Sequence, residues 1–406
     1  MLTEMHNNRN SGKSIGIYIH VPFCRRKCWY CDFYSVQPSG RIVSDYVAAV
    51  CREITLYSGT NRRVESIYFG GGTPNLLIVD QFSSLLAAIR ESFEVSKDAE
   101  VTVEMNPELV TAAMACDLRG IGVNRVSIGA QSFFDQDLNF LSRIGSSRRV
   151  LDAIKIINDQ GFVNVSIDLI LGLPGQSILQ FEYTIDMALD LGVSHLSAYL
   201  LKVDATAKSN FPSLVGSLPA DDDVSDLYEG FVALAANRGF SQYEISNFAT
   251  KNKVCSHNLR YWRCQEYIGF GPFSHSFFAG VRYHVCCDLV DYLQNMGNIS
   301  TAHTGINGML PPHLQAGNFA AAAEPSMYSV DTCDPFFEYV MLGLRLTDGV
   351  SIRHLLAIDP SRGERFLANL EKQRHMKDFL VLDADQARLT TKGFLVSNQI
   401  ISLLLF

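Results

Sequence analysis

Short apolar, β-branched runs alternate with amphipathic stretches through the first half of the chain. This alternation constrains the fold more than any other feature. The runs are IGIYIHV from Ile15, VESIYFGGG from Val64, EVTVEMNP from Glu100, NRVSIGAQS from Asn124, NVSIDLILGLP from Asn164 and SHLSAYLL from Ser194. Between them lie helical patterns such as VSDYVAAVCREITLYS, VDQFSSLLAAIRESF and SRRVLDAIKIINDQG. Strand then helix, repeated, calls for parallel strands joined by right-handed crossovers. Several runs are apolar on both faces, as strands covered on both sides should be. Six units predict a closed or partial (β/α)6 barrel over residues 15–205. A doubly wound open sheet is the alternative.

In a β/α barrel the C-terminal edge of the strands carries the active site, because its loops converge on one mouth. His20, the turn Gly70–Thr73, Glu104, Gln131 and Asp168 are all expected at or just past such strand ends. Any one of them could be a loop residue or a helix cap; five from five strands favour function.

The pattern changes after about residue 205. A helix is expected from Asp222 to Asn237, then GFSQYEISNFA and CSHNLRYWRCQEYIGFGPFSHS, so residues 206–295 read as an extension of the barrel. Residues 296–334 include NGMLPPHLQAGNFAAAAEP and read as a linker or insertion. Residues 335–406 predict helices around a hairpin at FLVLDADQARLT, ending on a buried helix at QIISLLLF. That α+β outline resembles a winged helix. Such modules often bind DNA, but this one is not markedly basic and the chain carries a net charge of −8. General nucleic-acid binding needs a basic surface, so the module is expected to serve in packing or as a lid.

Residues 1–14, MLTEMHNNRNSGKS, are polar and predict a disordered N-terminus without a secretory h-region. No stretch reaches the roughly 18 apolar residues of a membrane span. A cytoplasmic setting, where thiols stay reduced, is the expectation. The ten cysteines are then ligands or small buried thiols, not disulfides. For the scattered Cys51, Cys116, Cys255, Cys264, Cys286, Cys287 and Cys333, the buried free thiol is the favoured reading.

Three cysteines stand apart. Cys24, Cys28 and Cys31 have C-x3-C-x2-C spacing in HVPFCRRKCWYCDFYSV. Three thiolates from one short loop can hold three corners of a cubane iron–sulfur cluster. The fourth iron then stays open to an outside ligand, as catalytic metal sites keep a position free. Zinc is the rival, with His20 as fourth ligand, but the paired knuckles typical of structural zinc are absent. The run GGGTP at Gly70–Pro74 follows the second strand. Its glycines allow close backbone approach, though a tight strand-to-helix turn would explain them nearly as well.

With these motifs in order, the chain resembles the radical S-adenosylmethionine (SAM) superfamily. YIHVPFCRRKCWYCDF, IYFGGGTPNLL, VEMNPE, GVNRVSIGAQSF, DLILGLPGQ, HNLRYW and YIGFGPFSHSF are similar to the oxygen-independent coproporphyrinogen III oxidase-like group. Within that group they resemble the haem chaperone (HemW) branch. The resemblance runs from about residue 15 to the C-terminus, weakest across 296–330.

The resemblance implies a 4Fe–4S cluster on Cys24, Cys28 and Cys31, with SAM chelating the open iron. It further implies SAM contacts at Tyr18, Tyr30, Gly71, Gly72, Thr73, Glu104, Gln131, Arg143 and Asp168. Arg143 suits a carboxylate, and Asp168 suits ribose hydroxyls or an ammonium. Without the resemblance, Arg143 would read as a solvated helix-face charge and Asp168 as a loop cap. True oxidases of the group carry a further cysteine two residues after the third. Here that residue is Phe33, which puts decarboxylation in doubt. The motif HNxxYW, matched by His257, Asn258, Tyr261 and Trp262, is linked to haem in the chaperone branch. His275 is a further candidate haem ligand; without the resemblance, His257 would read as a core histidine. The implied function is a haem chaperone that serves apo-haemoproteins, membrane-bound clients included. Two alternatives stay open: oxidative decarboxylation in porphyrin biosynthesis, and a haem-degrading radical SAM methyltransferase.

Overall fold

The computed structural model describes residues 14–203, 205–298, 327–373 and 375–406. The expected disordered N-terminus, but for Ser14, and most of the expected linker at 296–334 lie outside these residues. Six strands, β1 (Ser14–Val21), β2 (Arg63–Gly71), β3 (Glu94–Met105), β4 (Arg125–Gln131), β5 (Val165–Leu171) and β6 (His195–Leu200), pair in parallel in sequence order. Helices connect them, among them Ile42–Thr55, Val79–Ser92, Ala112–Gly120, Ser147–Asp159 and Ile178–Asp190. The crossover Ser147–Asp159 shows how sequence writes this layer. Ser146 accepts from the Arg149 N–H to cap it, and Val150, Ala153, Ile154 and Ile157 bury one stripe.

The sheet does not close. On the β6 side it continues through β8 (Asn247–Ala249) and β7 (Ser241–Gln242), both antiparallel. On the β1 side β9 (Tyr267–Phe270) pairs in parallel. Then β10 (His275–Phe278), β11 (Val281–Val285) and β12 (Tyr328–Asp331) follow in antiparallel register. The result is the expected partial six-unit barrel with a twelve-stranded sheet, not a doubly wound sheet.

Glu53 ties the added strands to the barrel. It is fully buried on the first crossover helix and accepts from the Gly271 N–H (2.9 Å) and the hydroxyls of Tyr292 (2.7 Å) and Tyr328 (2.8 Å).

The C-terminal part has its own core, built from residues such as Phe336, Val340, Leu355, Phe366 and Leu389. Strands β13 (Val350–Ser351), β14 (Leu380–Leu382) and β15 (Gln386–Leu389) form an antiparallel sheet among helices. The last helix, Ser397–Leu405, buries Ile400, Ile401 and Leu404. This unit meets the barrel where the Ile245 N–H donates to the Arg345 carbonyl (2.9 Å) and the Thr347 N–H to that of Tyr243 (3.2 Å). Its first helix, Pro335–Gly343, packs on the helix Ser256–Trp262. Among the described residues, no helix is long and apolar enough to cross a membrane.

Candidate cofactor site

The cysteine loop leaves the C-terminal end of β1 and is pinned to the turn after β2. The Cys24 Sγ lies 3.4 Å from the Thr73 Oγ1, and the Cys31 N–H donates to the Cys28 carbonyl (3.2 Å). Arg143 reaches in from the turn after the helix Asp135–Phe140. Its Nη2 donates to the Gly129 carbonyl (2.9 Å) and its Nη1 points at the Cys28 Sγ (3.9 Å). Half-buried and held by both contacts, it is not a solvated helix-face charge. All three cysteines are free and partly buried, and Cys24 and Cys28 are close enough to Cys31 for their charge to help burial raise its thiol pKa. Three convergent thiols flanked by a hydroxyl and a guanidinium fit a cubane cluster with one open iron.

Zinc fits less well, because its fourth ligand is spoken for. His20 is buried and accepts from the Tyr18 hydroxyl at Nδ1 (3.1 Å), leaving Nε2–H to donate to the Tyr34 carbonyl (3.2 Å). Burial pulls its pKa down to about 4, so the ring is neutral near pH 7.

The glycine run has a specific steric cause. A Cβ on Gly71, whose φ is +105°, would sit 2.6 Å from the His20 ring; one on Gly72 would sit 2.6 Å from the Phe23 carbonyl oxygen. The partners that demand glycine are therefore the end of β1 for Gly71 and the start of the cysteine loop for Gly72. The Gly71 N–H donates to Glu104 (3.1 Å) and the Gly72 N–H to the Val21 carbonyl (2.8 Å). Both amides are thus used inside the chain.

Two carboxylates face the lumen below this loop. Glu104, one residue from the end of β3, also accepts from the Tyr68 hydroxyl (2.8 Å). Burial, then the charge of Asp168, raises its pKa to about 7. Asp168 lies in the middle of β5, not at its end, and accepts from the Ser127 Oγ (3.1 Å). It is the one residue of β5 that is not fully buried among apolar neighbours, and burial raises its pKa as well. Gln131 ends β4 with φ +65°, folding its amide back towards Gly129. Tyr30 packs against Leu141, Ile170 and Leu173, with Trp29 edge-on to it. Tyr18 stacks near Tyr68, 6.2 Å between ring centres.

The structure thus gathers the expected cluster and SAM residues at one end of the lumen. Sequence reasoning missed Tyr68 and Ser127. Period-two alternation along β2 carried a signal, since it puts Ser66, Tyr68 and Gly70 on one face.

The HNLRYW segment adjoins this site from the other side of Tyr18 and Tyr68. It forms the helix Ser256–Trp262, whose first amides are capped by Glu100, which accepts from the Ser256 and His257 N–H groups (3.1 Å each). His257 is buried against the N-terminal halves of β1 and β2. Its Nδ1 pairs with the Ser66 Oγ (2.8 Å), its Nε2 with the Tyr261 hydroxyl (2.7 Å), and its ring stacks on Tyr68 at 5.3 Å. Both ring nitrogens are therefore engaged. Asn258, Tyr261 and Trp262 are partly buried. Cys255 is fully buried, donates to Glu100, and burial pushes its pKa up to about 12. His275 is exposed on β10, its ring stacked on His284.

Comparison with known proteins places the chain in a family. The sequence profile of the radical SAM superfamily matches residues 18–188. The protein named heme chaperone HemW from Mycobacterium tuberculosis is 31% identical over 401 residues, 97% of this chain and 95% of that one. The Synechocystis protein of the same name is 30% identical, with 95% of each chain covered. The Escherichia coli one is 37% identical over 64% of this chain and 69% of its own length. Among solved structures, the radical SAM coproporphyrinogen III oxidase HemN from Escherichia coli superposes with a TM-score of 0.77. It covers 97% of this chain and 91% of its own at 19% identity, a likeness of fold. The chain belongs to the HemW family of radical SAM proteins.

Proposed function

We propose that this protein is a haem chaperone that carries haem to apo-haemoproteins and holds a 4Fe–4S cluster with SAM. The observation that carries the reading is the exit of the cysteine loop. Phe33 stands where a porphyrinogen oxidase of this group has a further cysteine, and it is 56% exposed. The relatives that align over nearly the whole chain bear the name heme chaperone.

In this reading Cys24, Cys28 and Cys31 hold the cluster. The cluster–SAM pair supplies one-electron chemistry when bound. Around it, Arg143 faces the SAM carboxylate and Glu104 its ammonium. Gly71, Gly72 and Thr73 meet the amino-acid end through carbonyl oxygens, because the glycine amides are already donating inside the chain. Asp168 and Gln131 take the ribose side, and Tyr18 and Tyr30 pack against the ligand. Residues 335–406 act as a cover over the HNxxYW helix.

Haem is the cargo. His257, Asn258, Tyr261, Trp262 and His275 are its candidate contacts, and the two histidines make different demands. Ligation by His257 requires one of its two bonds, to Ser66 or to Tyr261, to break. His275 is exposed and needs no such release. Clients in a membrane fit the scheme as well as free ones, because the carrier itself needs no anchor.

The test is haem titration of anaerobically purified, cluster-loaded protein, followed by the Soret band. His257→Ala and His275→Ala, singly, are expected to show which residue weakens binding. Unchanged affinity in both and in the double variant would remove these ligands. Conversion of coproporphyrinogen to protoporphyrinogen with SAM and a reductant would overturn the chaperone reading in favour of the oxidase.

A further inference from the structure

The strands added on the β1 side carry a side-chain cluster outside the iron–sulfur and SAM residues, although its His275 is also a candidate haem contact. His275 and His284 are direct cross-strand partners on β10 and β11. Their rings stack at 4.9 Å with 27° between planes. On β12, Asp331 is the cross-strand partner of Arg282, one step diagonal to His284 on the same face. The His284 Nδ1 is 3.3 Å from the Asp331 Oδ2. One ligand atom from each of the three side chains lies within 4.8 Å of the other two.

We propose that His275, His284 and Asp331 form a binding site for a borderline divalent cation of the Zn²⁺ type. Two imidazoles and one carboxylate suit such ions, with water filling the open positions. Ligand atoms about 2.0 Å from a tetrahedral ion stand about 3.3 Å apart. The pair His284–Asp331 already has that spacing. Rotation of the exposed His275 ring off its stack on His284 completes it.

The β10–β11 connection is the two-residue turn Ala279–Gly280, with φ +53° and +77° at its centre, which fixes the register of the two histidines. The nearest competing charge, Arg282, is neutralised. Its guanidinium is paired with Glu338 and lies over the Phe277 ring at 4.6 Å. An ordinary surface ion pair would need only His284 and Asp331. The second, parallel imidazole is what makes a ligand set.

The location gives the site a consequence. Strand β10 follows β9, which is hydrogen-bonded to β1, and Gly271 between them packs against the His20 carbonyl. His275, the first residue of β10, therefore lies on the side of the barrel mouth next to the β1 end that launches the cysteine loop. A cation here sits beside the entrance to the cofactor site.

The experiment uses cluster-loaded protein, so that Cys24, Cys28 and Cys31 are occupied, dialysed anaerobically against Zn²⁺ and analysed for bound metal. Wild type is expected to hold one equivalent more than His284→Ala/Asp331→Asn, and His275→Ala to weaken that equivalent roughly tenfold or more. Co²⁺ should give visible d–d bands in wild type that the double variant lacks. All three positions are at least partly exposed, and the conservative His284→Gln serves if the double variant misfolds. Equal Zn²⁺ content in wild type and variants overturns the proposal. So does loss of haem binding in His284→Ala with Zn²⁺ content unchanged, which would assign the pair to the cargo. The proposal does not depend on haem carriage and survives the failure of that reading.

Discussion

Replacing Glu104 by Gln tests the centre of the proposed SAM site, and the outcome depends on pH. Glu104 accepts from the Tyr68 hydroxyl and the Gly71 amide, yet burial and the Asp168 charge raise its pKa to about 7. Near neutrality the carboxyl is about half ionised. A bound ammonium favours the ionised form, so SAM affinity should rise with pH through about 7 and level off above it. If only the ionised form binds well, wild type gains about 25-fold between pH 5.5 and 7.5. A charge-assisted hydrogen bond is worth about 1.5–3 kcal/mol. Glu104→Gln should therefore bind roughly 10- to 150-fold more weakly than wild type where Glu104 is ionised, and almost equally at pH 5.5. Equilibrium dialysis with labelled SAM on cluster-loaded protein measures both. The amino group of SAM titrates near 8 itself, so the readout is the ratio of the two proteins at each pH, which cancels that contribution. Calorimetry should also find proton release on binding below pH 7. A ratio that stays constant with pH, or equal binding at pH 7.5, refutes the assignment of the ammonium to Glu104.

Four further outcomes follow from named contacts. Glu53→Ala strands the Gly271 amide and two tyrosine hydroxyls in the core. It should cost about 3–5 kcal/mol, read as a fall in Tm of roughly 4–6 °C; a change under about 1 °C would show that the buried carboxylate is dispensable. Burial raises the Glu53 pKa, so the folded state holds its proton more tightly than the unfolded chain. The stability this lends is lost as pH rises through the folded pKa, and wild type should lose ground to Glu53→Gln over that range. Gly71→Ala forces a Cβ against the His20 ring at a positive φ. It should destabilise by about 2–3 kcal/mol in chemical denaturation and lower cluster content; an unchanged midpoint would mean the two loops can separate freely. Cys31→Ala should fold with wild-type circular dichroism but lose the broad visible absorbance of the cluster, and retained absorbance would mean another residue replaces it.

Much of the cofactor site is legible in the sequence because its logic is local. C-x3-C-x2-C after one strand and GGGTP after the next each describe a few consecutive residues. The alternation of apolar runs with amphipathic stretches likewise announces parallel βα units. Reading failed where a side chain's surroundings come from distant strands. Arg143 reads as a solvated charge, but the Gly129 carbonyl on β4 holds it beside Cys28. Asp168 reads as a loop residue, yet it sits mid-strand with Ser127 beside it on β4. Glu53 sits in an unremarkable amphipathic helix, and nothing near it announces the two tyrosines that meet it from the far end of the chain.

His257 shows the division most plainly. The sequence by itself determined the HNxxYW pattern, the cysteine loop and the parallel βα order, since each is fixed by spacing along the chain. Only the tertiary structure decided that His257 lies against the N-terminal halves of β1 and β2 with both nitrogens engaged, and that His275, His284 and Asp331 meet on one face. Cross-strand register and burial are set by which surfaces the whole chain must remove from water. No short stretch of residues contains that information.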